Sequence, residues 1–308
     1  MKCFIVMLFG LAIVGLMIYG CNSIVDQEPG DEVLLSTKAS IVAASTSELT
    51  MDMCKNDPGW KSLGYKNLGQ CLRYVRTGTG TPPTGLTVSD VDGNVYPIVQ
   101  IGTQWWMAEN LRVTMYNNRE TIVTGMDDTD WSDATEGAYA IYPHAGGYSE
   151  DNVQGINSDE KMLAAYGALY NWYAVSDSRG LCPVGWHVPS EEEWNDLGNY
   201  LGGEPVAGGK LKSTRTEPLP HPRWRAPNSD ATNESGFSGY PGGLRVSEGN
   251  FMSIGSAGYW WSSTIKSDYT DYPGIEFALG RRMQYVDGKL GRNRNLKQVG
   301  FSVRCIMD

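Results

Sequence analysis

The feature that most limits what this chain can fold into is one turn and the helix it launches. Gly185-Trp186-His187-Val188-Pro189-Ser190 runs into Glu191-Glu192-Glu193, and the helical pattern stops at Gly202-Gly203. Ser190 is a strong N-cap, Glu193 completes a Ser-x-x-Glu capping box, and the glycine pair ends the helix. Trp194, Leu197 and Leu201 share one face at i, i+3, i+7. Beyond Gly203 the pattern reads as loops and short strands, at residues 258–264, 275–279 and 300–306. Upstream, Leu86 and Val88 alternate with Thr87 and Ser89, and a second apolar stretch runs over residues 95–101. Asp92-Gly93-Asn94 between them is a hairpin signal, and Pro97 is expected to confine the second strand to a sheet edge. One strong helix among short strands and many turns defines an α+β class. The 37 Gly and 15 Pro residues agree with it.

The first segment reads as targeting sequence rather than structure. Lys2 precedes an almost wholly apolar run over residues 4–19, which ends at Gly20-Cys21. The run is shorter than the ~20 residues a membrane span needs. A small residue before Cys after such a run resembles the bacterial lipobox. That resemblance implies a signal peptide over residues 1–20, lipidation of Cys21, and a membrane contact made through acyl chains. Residues 21–50 have no apolar period and read as a flexible tether. Their acidic positions Asp26, Glu28, Asp31 and Glu32 resemble the surface-export signal of Bacteroidota lipoproteins, which implies an outer-membrane, cell-surface location. Residues 51–77 contain Cys54-Lys55-Asn56-Asp57-Pro58-Gly59-Trp60 and Gln70-Cys71-Leu72-Arg73-Tyr74-Val75. They resemble a short cysteine-bracketed motif of exported prokaryotic proteins. A unit this small needs a staple, and a Cys54–Cys71 bridge would supply it. Residues 78–84 are a linker, and residues 85–308 read as one domain.

Within that domain several segments occur in a fixed order. Among them are Ile101-Gly102-Thr103-Gln104-Trp105-Trp106-Met107-Ala108-Glu109-Asn110-Leu111, Tyr166-Gly167-Ala168-Leu169-Tyr170-Asn171-Trp172, Leu181-Cys182-Pro183-Val184-Gly185-Trp186-His187-Val188-Pro189-Ser190, Gly258-Tyr259-Trp260-Trp261-Ser262-Ser263-Thr264 and Gly300-Phe301-Ser302-Val303-Arg304-Cys305. Together they resemble the Fibrobacter succinogenes major paralogous domain. More widely the domain is similar to the C-type-lectin-like fold and its formylglycine-generating relatives. That similarity implies short antiparallel sheets, two helices and long loops, with a disulfide between Cys182 and Cys305.

The chemistry present is sparse. His144, His187 and His221 sit in unrelated contexts, and His187 reads as a hydrogen-bonded turn residue. No His-Glu-x-x-His, Gly-x-Ser-x-Gly or Cys-x-x-Cys occurs. The formylglycine-generating relatives need reactive thiols, whereas Cys182 and Cys305 would be committed to a bridge. No catalytic residue is therefore expected. Glu204-Pro205 and Trp194-Asn195-Asp196 share letters with lectin calcium motifs, but the first departs at Val206 and the second lies inside the capped helix. Asp90-x-Asp92-Gly93-Asn94 looks like half a calcium loop and reads better as a hairpin turn. No cofactor or metal site is expected, with room left only for a structural calcium. A net charge of −10 argues against nucleic acid as a partner.

What remains is a candidate binding face. Tyr269 and Tyr272 stand in the polar stretch 266–272, and six basic residues against one acid lie between Arg281 and Lys297. Tyr269, Tyr272, Arg282, Arg292 and Arg294 are the candidate ligand contacts, on late loops of a rigid scaffold. Trp260 and Trp261 belong to the resembling pattern, and at least one is expected in the core. The expected function is a non-catalytic, surface-displayed binding protein for glycan or protein ligands. The alternatives are a structural or tip subunit of a surface fibre, or a degenerate formylglycine-generating-type enzyme.

Overall fold

The computed structural model describes residues 86–144, 153–267, 274 and 276–308, all within one compact unit. Cys21, Cys54, Cys71, Tyr269 and Tyr272 lie outside the described residues, together with the signal peptide, tether and cysteine-bracketed motif.

The described chain begins with three strands, β1 (Thr87–Ser89), β2 (Val95–Ile101) and β3 (Gln104–Met107). Asp90 closes the first turn. Its carboxylate accepts the backbone N–H groups of Asp92 and Asn94 at 3.0 and 2.9 Å and the Tyr96 hydroxyl at 2.6 Å. Asp92 in turn accepts the backbone N–H and hydroxyl of Thr114. Both carboxylates thus serve the hairpin. The edge placement expected for Pro97 does not hold, because β2 lies between β1 and β3. The reason is register. The β2–β3 ladder starts one residue later, at Ile98–Met107, while the Pro97 carbonyl accepts Ala108 N–H at 2.8 Å. The missing proline N–H falls where that ladder has run out.

This first sheet has the order β1-β2-β3-β12-β6, with β6 at Trp186–His187 and β12 at Ile306–Met307. The last strand thus sits between the opening hairpin and the turn before the capped helix. A disulfide joins Cys182 to Cys305, 123 residues apart in sequence. The second sheet has the order β11-β10-β9-β7-β8, with β7 at Gly242–Arg245, β8 at Phe251–Ile254, β9 at Ala257–Lys266, β10 at Phe277–Gln284 and β11 at Gly291–Asn295. Its pairs are antiparallel except the single β7–β9 bridge. A small ribbon pairs β4 (Tyr139–Ala140) with β5 (Leu169–Tyr170).

Five helices are present among the described residues: α1 (Asp128–Ser132), α2 (Asp159–Tyr166), α3 (Trp172–Val175), α4 (Glu191–Tyr200) and α5 (Glu204–Leu211). That exceeds the two expected. Both bonds of the Ser190–Glu193 capping box form at the start of α4. Gly202 and Gly203, at φ 102° and 93°, turn the chain out of it. α5 corrects the expectation of only loops and strands after Gly203. Gly208 and Gly209 hide it, since both lower helix propensity. They are there for packing. A Cβ on Gly208 would lie 2.2 Å from the Lys289 carbonyl oxygen, and one on Gly209 would lie 2.4 Å from that of Asp230.

Burial of the strand and helix faces divides the core. The largest cluster gathers Tyr96, Trp105, Trp261, Phe301 and the disulfide, a second joins Trp106, Trp194, Trp224, Phe237 and Trp260 beneath α4 and α5, and two smaller ones form around Tyr142 and Met162 and around Trp131. Trp260 and Trp261 are both fully buried. Arg304 ties the two halves. Its buried guanidinium donates to Asn110 Oδ1 and to the carbonyls of Met107, Phe237 and Ser238. Burial without a carboxylate in contact pulls its pKa down to about 10.

Candidate functional site

The β9–β10 ladder skips from Ala278–Ile265 to Gly280–Trp261, so β9 bulges around residues 262–264. The bulge meets the start of α4. Ser263 N–H donates to the Pro189 carbonyl at 2.9 Å, and the Thr264 hydroxyl accepts Glu191 N–H at 3.0 Å. One of the helix's otherwise unpaired N-terminal donors is thereby satisfied by the sheet. Trp194 Nε1 adds a bond to the Trp261 carbonyl from the same helix. The first turn of α4 is therefore held at a set distance from the sheet, and a cleft of about 740 Å³ opens beside it.

One wall of the cleft is Glu191, Glu192 and Asn195 from α4. The opposite side is Thr264 and Lys266 at the end of β9, with Arg292 and Arg294 on β11. Leu279 is the one aliphatic side chain and no aromatic ring lines the cleft among the described residues. Arg292 and Arg294 are exposed, and the residues between and beside them are less so, as period-2 alternation requires.

An ion network built around the buried Arg281 supports this side of the cleft. Arg281, 1% exposed at its side chain, donates to Glu191 Oε1 at 2.8 Å, Glu204 Oε1 at 3.1 Å and Asn195 Oδ1 at 2.6 Å. Arg292 donates to the same Glu204 oxygen and, at 3.0 Å, to Asn195 Oδ1. Burial pushes the Glu191 carboxyl above its usual range despite Arg281 and Arg292. Burial also opposes ionisation of Glu204, yet Arg292 and Arg281 outweigh it and hold that carboxyl low. Asn195 and Glu204, one from each of the two segments that share letters with lectin calcium motifs, thus meet at one place and accept from guanidinium groups there.

Arg292 and Arg294 are brought together, but on a strand rather than a loop. Arg282 is not with them. It neighbours Arg281 on β10 and so points to the opposite face. Lys266, Glu191, Glu192 and Thr264 carry no mark of a site in the sequence. The capping box gave Glu191 and Glu192 a sufficient local role, and nothing local marks which strand end they face. His187 is a turn residue whose Nδ1 meets Asp308 at 2.6 Å and whose Nε2 meets Glu193 at 2.9 Å. Among the described residues no group of three or more His, Cys, Asp or Glu could hold a metal ion. No helix among them is long and apolar enough to cross a membrane.

The fold and the cleft define a mixed α/β domain with antiparallel sheets, few helices and a polar, mixed-charge recess. The family model described as the Fibrobacter succinogenes major domain matches residues 99–307, more than half of the chain, and the chain belongs to that family. No curated protein and no solved structure matches the chain.

Proposed function

We propose that this chain is a lipid-anchored surface protein whose C-type-lectin-like domain binds a glycan or protein ligand in the cleft beside α4, without catalysis. The observation that carries the reading is the cleft itself. A large polar recess is framed by rigid elements, and its exposed cations stand on a strand whose neighbours are locked by an ion network. The lectin-like assignment is supported by the last strand pairing beside the opening hairpin and by the Cys182–Cys305 bridge. That bridge also consumes the domain's two thiols, which weighs against formylglycine-generating chemistry. Anchoring rests on the apolar run ending at Gly20-Cys21.

The test is a glycan and protein array probed with the full chain and with Arg294→Glu. Specific signals lost in the variant support the reading, whereas signals unchanged in the variant place recognition elsewhere. Tyr269 and Tyr272 belong to the same proposal, because Lys266 and Phe277, the paired residues that bracket their connection, stand at or next to the cleft. The Tyr269→Ala, Tyr272→Ala double variant should weaken binding by ~1–3 kcal/mol if they anchor the ligand. Cys21→Ser should release the protein from the detergent phase.

A further inference from the structure

We infer that Glu191 is a proton-operated charge switch in the cleft wall. On mild acidification its Oε2 takes up a proton and Arg281 is left to Glu204 and Asn195. The wall then gains one unit of positive charge while its frame stays in place. The switch makes recognition in the cleft depend on pH, a consequence that rests on the cleft being the binding site.

The geometry divides one guanidinium unevenly. Arg281 is buried on β10 and meets a carboxylate from each of two helices, Glu191 at the start of α4 and Glu204 at the start of α5. The two acids differ in surroundings. The Glu204 side chain is 46% exposed, and its Oε1 accepts from both Arg281 and Arg292. The Glu191 side chain is 15% exposed. Its Oε1 accepts from Arg281, while its Oε2 is buried and has no hydrogen-bond partner among the described residues. A buried carboxylate oxygen without a donor disfavours the ionised form. A proton added at Oε2 breaks no existing hydrogen bond.

Two carboxylates around one cation, in unequal environments, separate in proton affinity. Among the described residues the charged groups facing Glu191 are Arg281 on β10, Arg292 on β11 and Glu204 on α5. Glu192 on its own helix, Lys266 on β9 and Arg294 on β11 also line the cleft. Burial outweighs the two arginines at Glu191 and raises it, and the Glu204 charge adds to that rise. At Glu204 the arginines win over burial, so it stays ionised where Glu191 is already neutral.

The frame does not depend on the Glu191 charge. Three neutral bonds tie α4 to β9: Ser263 N–H to the Pro189 carbonyl, Glu191 N–H to the Thr264 hydroxyl, and Trp194 Nε1 to the Trp261 carbonyl. Linkage has the same sense. A carboxyl raised by folding favours the native state more as pH falls through its folded value, whereas the contribution of Glu204 is lost only as pH falls through its own lower one. Proton uptake at Glu191 therefore changes local charge without weakening the fold.

The experiment is an NMR pH titration of the uniformly 13C- and 15N-labelled full chain, alongside Glu191→Gln, which fixes the neutral form. The Glu191 carboxyl carbon should titrate with a midpoint above 4.5 and that of Glu204 below it. The Arg281 guanidinium signals should move with the Glu191 midpoint, and that step should vanish in Glu191→Gln. The Ser263 amide and Trp194 indole signals should persist through the step. Assignment runs through the backbone, so the native titration decides even if the variant fails to fold. A Glu191 midpoint at or below 4.5, Arg281 signals blind to it, or loss of the Ser263 and Trp194 signals in the same step overturns the switch. Its bearing on recognition is read by repeating the glycan and protein array at about pH 5 and about pH 7.5. Signals that depend on pH in the native chain and not in Glu191→Gln support it. Signals abolished by Arg294→Glu but indifferent to pH remove the regulatory role and leave the cleft reading standing. Signals indifferent to Arg294→Glu remove the cleft reading and the regulatory role together, whatever the titration shows.

Discussion

Lys212 shows what a single residue does in this fold. Its side chain is fully buried, and its ammonium donates to the carbonyls of Ser229, Gln284 and Asp287 at 2.7, 2.9 and 2.7 Å. One cation thereby joins the segment after α5 to the β10–β11 turn. Lys212→Met keeps the length but strands three buried acceptors, so it should cost about 2–4 kcal/mol in urea unfolding. An unchanged midpoint would mean that water replaces the ammonium without loss. Burial also pulls the Lys212 pKa down to about 8, from 10.5. Between those values the unfolded chain holds the extra proton, so this residue favours folding more as pH rises through the window. His187 works in the opposite sense. Burial opposes its charge, but bonds to Asp308 and Glu193 win and raise its pKa above 6.5. Its contribution is complete below about pH 6.5 and is lost as pH rises through the folded value. The stability gap between the native chain and His187→Gln should therefore be wider at pH 6 than at pH 8.5.

At the scale of elements, α4 and α5 contrast in what makes them helices. α4 carries its own signals: a capping box, three acidic residues in the first turn, and an apolar face that ends in the tryptophan cluster. α5 has no side-chain cap and an interior glycine pair. It persists because backbone meets backbone at Gly208 and Gly209. Gly208→Ala would raise helix propensity by ~1 kcal/mol in an isolated peptide. In the protein its Cβ would strike the Lys289 carbonyl, so the expected outcome is a loss of ~3 kcal/mol or more. Thermal unfolding distinguishes the signs, and a rise in midpoint would show that the β10–β11 turn can retreat. That turn leads directly into Arg292, so the variant should also disturb the cleft.

For the whole molecule, the chain ends close to where the domain begins. The β12 strand lies next to β3, and the Cys182–Cys305 bridge closes a loop of 123 residues. Chain entropy alone assigns such a closure about 4–5 kcal/mol. The Cys182→Ala, Cys305→Ala double variant should lose that amount in denaturant and match the reduced native chain. Because the bridge adjoins β6 and the turn that launches α4, its loss should weaken the cleft's frame before the second sheet melts. Protection of α4 amides from hydrogen exchange would read this out.

Local rules by themselves determined α4 with its caps and the hairpin at Asp90–Asn94, because each depends on neighbours within a few residues. The ordered segments also determined the family. Only the tertiary structure decided that Glu191, Lys266 and Arg294, separated by about 75 and 28 positions, share one cleft. It likewise decided that Arg281 is buried while Arg282 points to the other face. The six basic residues of that stretch look alike in sequence. Strand alternation and the β10–β11 register sort four of them, with Arg281 buried, Arg292 and Arg294 on the cleft wall and Arg282 on the opposite face, and that register is set by pairing between strands rather than by neighbours along the chain.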